Sequence, residues 1–389
     1  VVFCMDPWEL ATKLDELKRQ QRYRLRKTIE SPQGASVQMA GQMFDNFSSN
    51  DYLGLANHPS VIKAFQQAAE RYGVGSGSAH LICGHSAEHH ALEEELAEFT
   101  GRDRALIFST GYMANLGAIS AMAHKGDEIF QDKLNHASLI DGGRLSGAQV
   151  KRFVHGDMGQ LKQLLEGSST RRKLVVSDGV FSMDGDEANM QDLVGLTETS
   201  NAMLMIDDAH GLGVLGEKGG GLLEACDLNQ QQVPILMATL GKGLGTSGAF
   251  VAGSEELIET LIQQARTYVF TTAMPSAVMA ATRQSLKICQ QETWRREKLR
   301  HLVARFRKGA EQLGLNLMPS QTPIQPIILG SNEAVMAAGE YLKEKGILVG
   351  AIRYPAVKKA SERLRITLSA THTDSQVDNL LLGLEELFC

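Results

Sequence analysis

Between residues 104 and 252, short apolar runs alternate with stretches whose apolar residues recur every three to four positions. Runs at 104–109, 128–131, 149–153, 173–177 and 202–207 have strand length, and the stretches at 112–123, 137–145, 157–166 and 190–200 have helical period. This alternation predicts a mostly parallel sheet covered by helices on both faces. Two further strands are read at 235–239 and 248–252, and an amphipathic helix at 87–99. Ahead of this block, residues 6–30 read as one charged helix ending at Ser31-Pro32-Gln33-Gly34. Beyond about residue 275 the texture changes. A long helical stretch over 276–313 carries Arg295, Arg296, Lys298 and Arg300 on what reads as a solvated face. A strand at 324–329, a helix at 332–345, a strand at 364–368 and a helix at 374–388 follow. The expected organisation is an N-terminal helical segment (1–45), a large α/β domain (46–275) and a smaller α+β domain (276–389).

Composition supports a packed core. Of 389 residues, 43% are hydrophobic and 22% charged, which argues against disorder. A net charge of −6 leaves no basic field for nucleic acid. Cys4, Cys83, Cys226, Cys289 and Cys389 are odd in number and form no C-x-x-C pair. They read as reduced thiols of a cytoplasmic protein. The first residues lack the apolar core of a signal peptide, and no apolar run reaches membrane-spanning length.

Several segments carry candidate chemistry. Lys242 sits in Thr239-Leu240-Gly241-Lys242-Gly243, just after a predicted strand. Small flanking residues let a planar ligand approach, and a desolvated lysine amine can form a Schiff base; an isolated motif of this kind is more often a surface loop. The run Met203–Asp207 ends in Asp207-Asp208-Ala209-His210. A carboxylate at a strand end can keep a pyridine nitrogen protonated, or it can simply cap a helix. Gly211-Leu212-Gly213-Val214-Leu215-Gly216 matches the dinucleotide fingerprint in letters, but no helix start and no acidic residue follow where that fold needs them. Ser109-Thr110-Gly111-Tyr112 is a strand-to-helix junction, and free N–H groups at such a start can bind phosphate. His136 can stack on a ring or cap a helix. Arg363 and Arg365 share one strand face, where either a carboxylate fork or plain exposure is open. His85 and His89 are four apart, but without H-E-x-x-H or a further ligand cluster they are read as polar residues at a helix start, so no metal is expected.

The order of these features along the chain, from phosphate turn to stacking histidine, strand-end acid, Gly-flanked lysine and late arginine, describes a pyridoxal-phosphate (PLP) site. The chain resembles the α-oxoamine synthases of the fold-type I PLP enzymes from about residue 15 to 385. Asn46-Phe47-Ser48-Ser49-Asn50-Asp51-Tyr52-Leu53-Gly54-Leu55, Val180-Phe181-Ser182-Met183-Asp184-Gly185-Asp186, Asp207–Gly211 and Thr239–Gly243 carry the resemblance. It implies that Lys242 anchors the cofactor and that Asp207 pairs with the pyridinium nitrogen while Asp208 points elsewhere. His136 would stack on the ring and assist protonation. Ser182 and His210 would contact the ring oxygen or the phosphate region. Thr239, Gly111, Tyr112 and a partner subunit's Thr272 would hold phosphate, which makes the active unit a homodimer. Arg365 would bind the amino-acid carboxylate, with Asn50 and Arg24 near the acyl substrate. Gly75–His80 and Gly84–Glu93 resemble the member that joins L-alanine to pimeloyl-CoA or pimeloyl-acyl-carrier protein. The alternatives are glycine with acetyl-CoA, or plain amino-group transfer. Ala356 stands where relatives often carry a substrate-contacting threonine.

Overall fold

The computed structural model describes residues 7–388; residues 1–6, with Cys4 and the leader reading, and Cys389 lie outside them. Among the described residues, twelve strands form two sheets. They are β1 (Ser36–Met39), β2 (Gln42–Phe47), β3 (Arg104–Phe108), β4 (Glu128–Asp132), β5 (Gln149–Phe153), β6 (Lys173–Asp178), β7 (Met203–Asp207), β8 (Ile235–Thr239), β9 (Ala249–Gly253), β10 (Ile324–Ile328), β11 (Ile347–Ile352) and β12 (Arg363–Thr367). The large sheet runs β3-β9-β8-β7-β6-β4-β5, and β9 is antiparallel to both its neighbours. The pairs β8–β7, β7–β6, β6–β4 and β4–β5 are parallel. Strands buried on both faces need apolar side chains on both. Accordingly Leu106, Val176, Met205 and Met237 pack into one core, and Phe130, Val175, Leu204 and Leu236 into another.

The parallel register brings polar strand ends to one edge. Asp132, Asp178, Asp207 and Thr239 close β4, β6, β7 and β8, which are neighbours in the sheet. Ligands of open α/β sheets gather outside the carboxyl ends of strands, where loops diverge and backbone groups stay free.

The small sheet runs β1-β2-β11-β12-β10. The fold departs here from the expected segmentation. The N-terminal segment supplies β1 and β2, with β2 parallel to β11, and only Leu10–Arg19 of the expected 6–30 helix is helical. Gln21 takes a left-handed φ of 54° just after that helix, and Arg353 donates to the Gln21 and Tyr23 carbonyls, drawing the chain onto the small unit instead. The expected 276–313 helix is two. Ser276–Gln291 packs on helices Pro59–Tyr72 and Ala87–Thr100 of the large unit, whereas Trp294–Gln312 joins the core under β10 and β12. The chain therefore changes units near residue 293, beyond the expected boundary at 275.

Arg295 and Arg296 are not on a solvated face. Arg296 is 1% exposed and donates to the Cys289 and Glu217 carbonyls; Arg295 donates to the Leu53 carbonyl and pairs with Glu292. A guanidinium's planar donor array can satisfy backbone oxygens inside a protein where an ammonium cannot do so as readily, and charge pattern alone does not reveal which cation does this. Among the described residues, no helix is long and apolar enough to cross a membrane.

Candidate active site

Asp207, at the tip of β7, is 3% exposed. One of its oxygens accepts from Asn115 Nδ2 (2.7 Å), the other from the Ala209 N–H (3.0 Å). Asn115 Nδ2 also reaches Ser138 Oγ at 2.8 Å, and Ser138 Oγ meets His136 Nδ1 at 2.7 Å. His136 is the N-cap of helix Ala137–Ser146, and its backbone N–H donates to Asp178 Oδ2 (2.6 Å). Asp178 pairs in register with Asp207. Burial, with Asp207's charge adding to it, raises the Asp178 carboxyl well above its ordinary range. Asp208 faces away from this group, accepting from the Leu222 N–H at 2.7 Å.

Lys242 follows β8 and meets His210 Nε2 at 2.8 Å. Burial lowers its amine to about 8, while the Asp207 and Asp178 carboxylates pull the other way. His210 is held well below the usual imidazole range by burial and by the Lys242 and Arg365 charges. Its ring is therefore neutral. Accepting from Lys242 at Nε2, it carries its proton on Nδ1, 2.7 Å from Tyr52 OH. Tyr52 OH in turn donates to Asn50 Oδ1 (3.3 Å), which also accepts from both terminal nitrogens of Arg365. Arg365 Nε donates to the Ser182 carbonyl at 2.6 Å. One connected network thus runs from Lys242 through His210, Tyr52 and Asn50 to Arg365, joining the two sheets. Both Arg363 and Arg365 are buried, which excludes the exposed-face reading of β12.

At the other end, Gly111 opens helix Gly111–Met122, and Thr110 caps it by accepting from the Met113 N–H. First-turn N–H groups have no intrahelical acceptor and favour an anion. Thr239 Oγ1 donates to the Gly248 carbonyl and accepts from the Gly241 N–H, shaping the Lys242 loop. Tyr112 is exposed, hydrogen-bonds Asp141 and stands edge-on to the His136 ring at 6.5 Å. This donor set fits a phosphorylated pyridine aldehyde: a desolvated amine, a buried carboxylate with each oxygen fixed by one donor, a ring histidine and a helix start.

The family described as aminotransferase class I and II matches residues 44–384. The 8-amino-7-oxononanoate synthase of Cellvibrio japonicus is 58% identical, over 97% of this chain and 95% of that protein. The chain belongs to the 8-amino-7-oxononanoate synthase family. The synthase of this name from Francisella tularensis has a solved structure with TM-score 0.78 and 31% identity, covering 88% of this chain and 97% of that one. A serine palmitoyltransferase from S. paucimobilis, solved with a bound PLP–myriocin aldimine, has TM-score 0.92 and 29% identity, covering 97% and 96%. The fold is that of the fold-type I PLP enzymes.

Asn50, His136, Ser182, Asp207, His210, Lys242 and Arg365 converge from segments far apart in the chain. Thr272 and Arg24 do not join them. Thr272 is exposed and bridges to Ala79, outside both sheets. Arg24 is exposed beside the 21–23 segment that Arg353 holds. Ala356 is exposed in the turn closed by its N–H to the Arg353 carbonyl. The glycine-rich decoy opens no dinucleotide helix: residues 209–219 are turns, with Gly213 and Gly216 at φ of 82° and 80°. One expectation is corrected. The sequence shows no further ligand cluster near His85, yet the helix brings His90 and Glu93 beside it, with ligand atoms within 4.8 Å of one another. His89 turns inward instead and meets the Met274 carbonyl. Tyr52, Asn115, Ser138 and Asp178 join the site although sequence alone gives them no role. Tyr52 lies in the Asn46–Leu55 run and Asn115 four residues after Gly111 on the same helix; the signal for Asp178 is its place at a strand end, like Asp207.

Proposed function

We propose that this chain condenses L-alanine with a pimeloyl thioester, carried by coenzyme A or an acyl-carrier protein, to give 8-amino-7-oxononanoate for biotin biosynthesis. The observation that carries this reading is the buried Lys242 amine, lowered to about 8 and set against His210 and the strand-end acids. Pyridoxal phosphate, when bound, supplies an electron sink for the carbanion formed at the α-carbon of alanine. The roles of this chain's residues follow from their placement. Lys242 holds the cofactor and, once released, removes the α-proton; an amine lowered to about 8 is the free base about a tenth of the time at pH 7, where an ordinary lysine almost never is. Asp207, whose two oxygens are fixed by Asn115 and the Ala209 N–H, would pair with the ring nitrogen. Arg365 turns its two terminal nitrogens from Asn50 to the alanine carboxylate, a fork that matches that group. His136 covers the ring and helps return a proton to the α-carbon. Gly111, Tyr112 and Thr239 hold phosphate, with Ser182 and His210 contacting the cofactor. The new carbon–carbon bond forms as the thioester C–S bond breaks and the thiol leaves; the former alanine carboxylate then departs as carbon dioxide. Arg24 serves the acyl substrate. Thr272 reaches phosphate from a second copy, so the active unit is a homodimer, working in the cytoplasm.

Product mass is the test. Alanine with pimeloyl-CoA gives 8-amino-7-oxononanoate, and glycine with acetyl-CoA gives little turnover. Faster turnover of the glycine pair overturns the substrate assignment. Purified protein whose yellow absorbance is absent even after PLP is added, or is not bleached by borohydride, overturns the cofactor role of Lys242.

A further inference from the structure

His155 lies outside the residues that face Lys242, in the turn after β5. Each of its ring nitrogens meets a carboxylate. Nδ1 is 3.1 Å from both oxygens of Asp132, and Nε2 is 2.8 Å from Asp186 Oδ2. The ring stands edge-on to Phe181, with centroids 4.4 Å apart. A neutral imidazole has one N–H and cannot donate to acceptors on both sides, so the geometry calls for the imidazolium. The side-chain hydrogen bonds to Asp132 and Asp186 raise its pKa to about 10, against the cost of burial. Asp184, the remaining acid near the ring, is engaged by Arg363.

The two carboxylates belong to two different walls of the active site. Asp132 ends β4 and begins the turn that delivers His136. Its side chain accepts from the Leu134 and Gly156 N–H groups, and its carbonyl from the Asn135 N–H. Asn135 then pins the turn to β6 through the Val176 carbonyl and the Asp178 N–H. Asp186 lies in the hairpin closed by the Val180–Glu187 bridge and by the Phe181 N–H to Asp186 carbonyl bond. That hairpin presents the Ser182 carbonyl to Arg365 Nε. His155 is the link between the turn that carries His136 and the hairpin that orients Arg365.

We propose that His155 is a positioning residue: a charged brace between Asp132 and Asp186 that sets the separation of His136 from Arg365, and thereby the fit of the amino-acid substrate between them. It touches neither the reacting atoms nor the cofactor. The proposal rests on the substrate reading above. A misplacement of about 1 Å in a positioning group can cost about a hundredfold in rate, so a brace at this place acts on alanine and spares the thioester.

The experiment compares the PLP-loaded wild type with His155→Gln, Asp186→Asn and the double variant. Gln keeps one polar arm but no charge; Asn keeps the hairpin's size and removes the anion. Three quantities are read: kcat/KM for alanine, KM for pimeloyl-CoA, and the alanine concentration that half-saturates the change in visible absorbance when no thioester is present. Each single variant is expected to raise that half-saturating concentration about tenfold and to lower kcat/KM for alanine by at least as much. KM for pimeloyl-CoA stays within about twofold, and the double variant is no worse than the poorer single one, because both remove the same link. Half-saturation unchanged in both single variants overturns the proposal, whatever happens to the melting temperature. So does a double variant whose loss equals the product of the two. If His155→Gln does not fold, Asp186→Asn decides alone. Wild type that shows no alanine-dependent spectral change refutes the substrate reading, and the brace is then judged by PLP titration of the stripped proteins, where unchanged affinity in both variants overturns it.

Discussion

A buried lysine that must later act as a base leaves a thermodynamic trace in the protein stripped of PLP. Lys242 is partly buried as a residue, and its amine is desolvated, which lowers its pKa from the ordinary 10.5 to about 8. At about 1.4 kcal/mol for each pH unit, that difference is a penalty of about 3 kcal/mol on the folded state wherever the amine is charged in both states. The sign is fixed by proton counting. Below pH 8 both folded and unfolded lysines are protonated and the whole penalty is present. Between 8 and 10.5 the unfolded chain binds more protons, so stability from this group rises with pH until the penalty is gone. Lys242→Met removes the amine and keeps an unbranched side chain. It also removes the hydrogen bond to His210, worth about 1 kcal/mol. The net gain at pH 7 is about 2 kcal/mol, which in a chain of 389 residues raises the melting temperature by about 2 °C. The assay is thermal melting of PLP-free wild type and variant at a fixed scan rate, at pH 7 and pH 9.5. The variant should melt higher at pH 7, the gap should shrink at pH 9.5, and turnover with PLP restored should be lost. A variant no more stable than wild type at pH 7, or a gap that does not narrow with pH, refutes the reasoning.

Tyr52→Phe leaves the His210 Nδ1–H without its acceptor; a buried group so orphaned costs about 1–3 kcal/mol, and kcat/KM for alanine should fall about tenfold while PLP remains bound, as steady-state rates and absorbance would report. Gly185→Ala forces a side chain onto φ 74° with its Cβ 2.4 Å from the Ile324 carbonyl oxygen. It should lower stability by about 2–4 kcal/mol, read by denaturant melts. Arg296→Ala strips donors from two backbone carbonyls in a fully buried position; a loss of about 3 kcal/mol is expected, against near zero for Arg300→Ala on the exposed face, and equal losses would show that charge alone mattered.

What the chain determined by itself were the local periods and the chemical types. The alternation of apolar strand and amphipathic helix in residues 104–252 required a buried parallel sheet, because strands covered on both faces must be apolar on both. Lys242, Asp207 and His210 were legible because a strand end, a small-residue loop and their order along the chain constrain function without any contact being known. Tertiary structure decided which polar groups meet. Asn115 and Asp178 looked like ordinary helix and strand residues until the register of β6 and β7 set Asp178 beside Asp207 and the helix laid Asn115 over it. Arg296 read as a surface cation, since nothing in a charge run says which guanidinium will find two carbonyls inside the core. The short strands β2 and β11 lacked a decisive period, because they pair with each other across about three hundred residues of chain and only that pairing fixes their place in the sheet. His155 is the clearest case. A lone histidine after a strand carries no signal, and its charge exists only because folding places a carboxylate at each of its nitrogens.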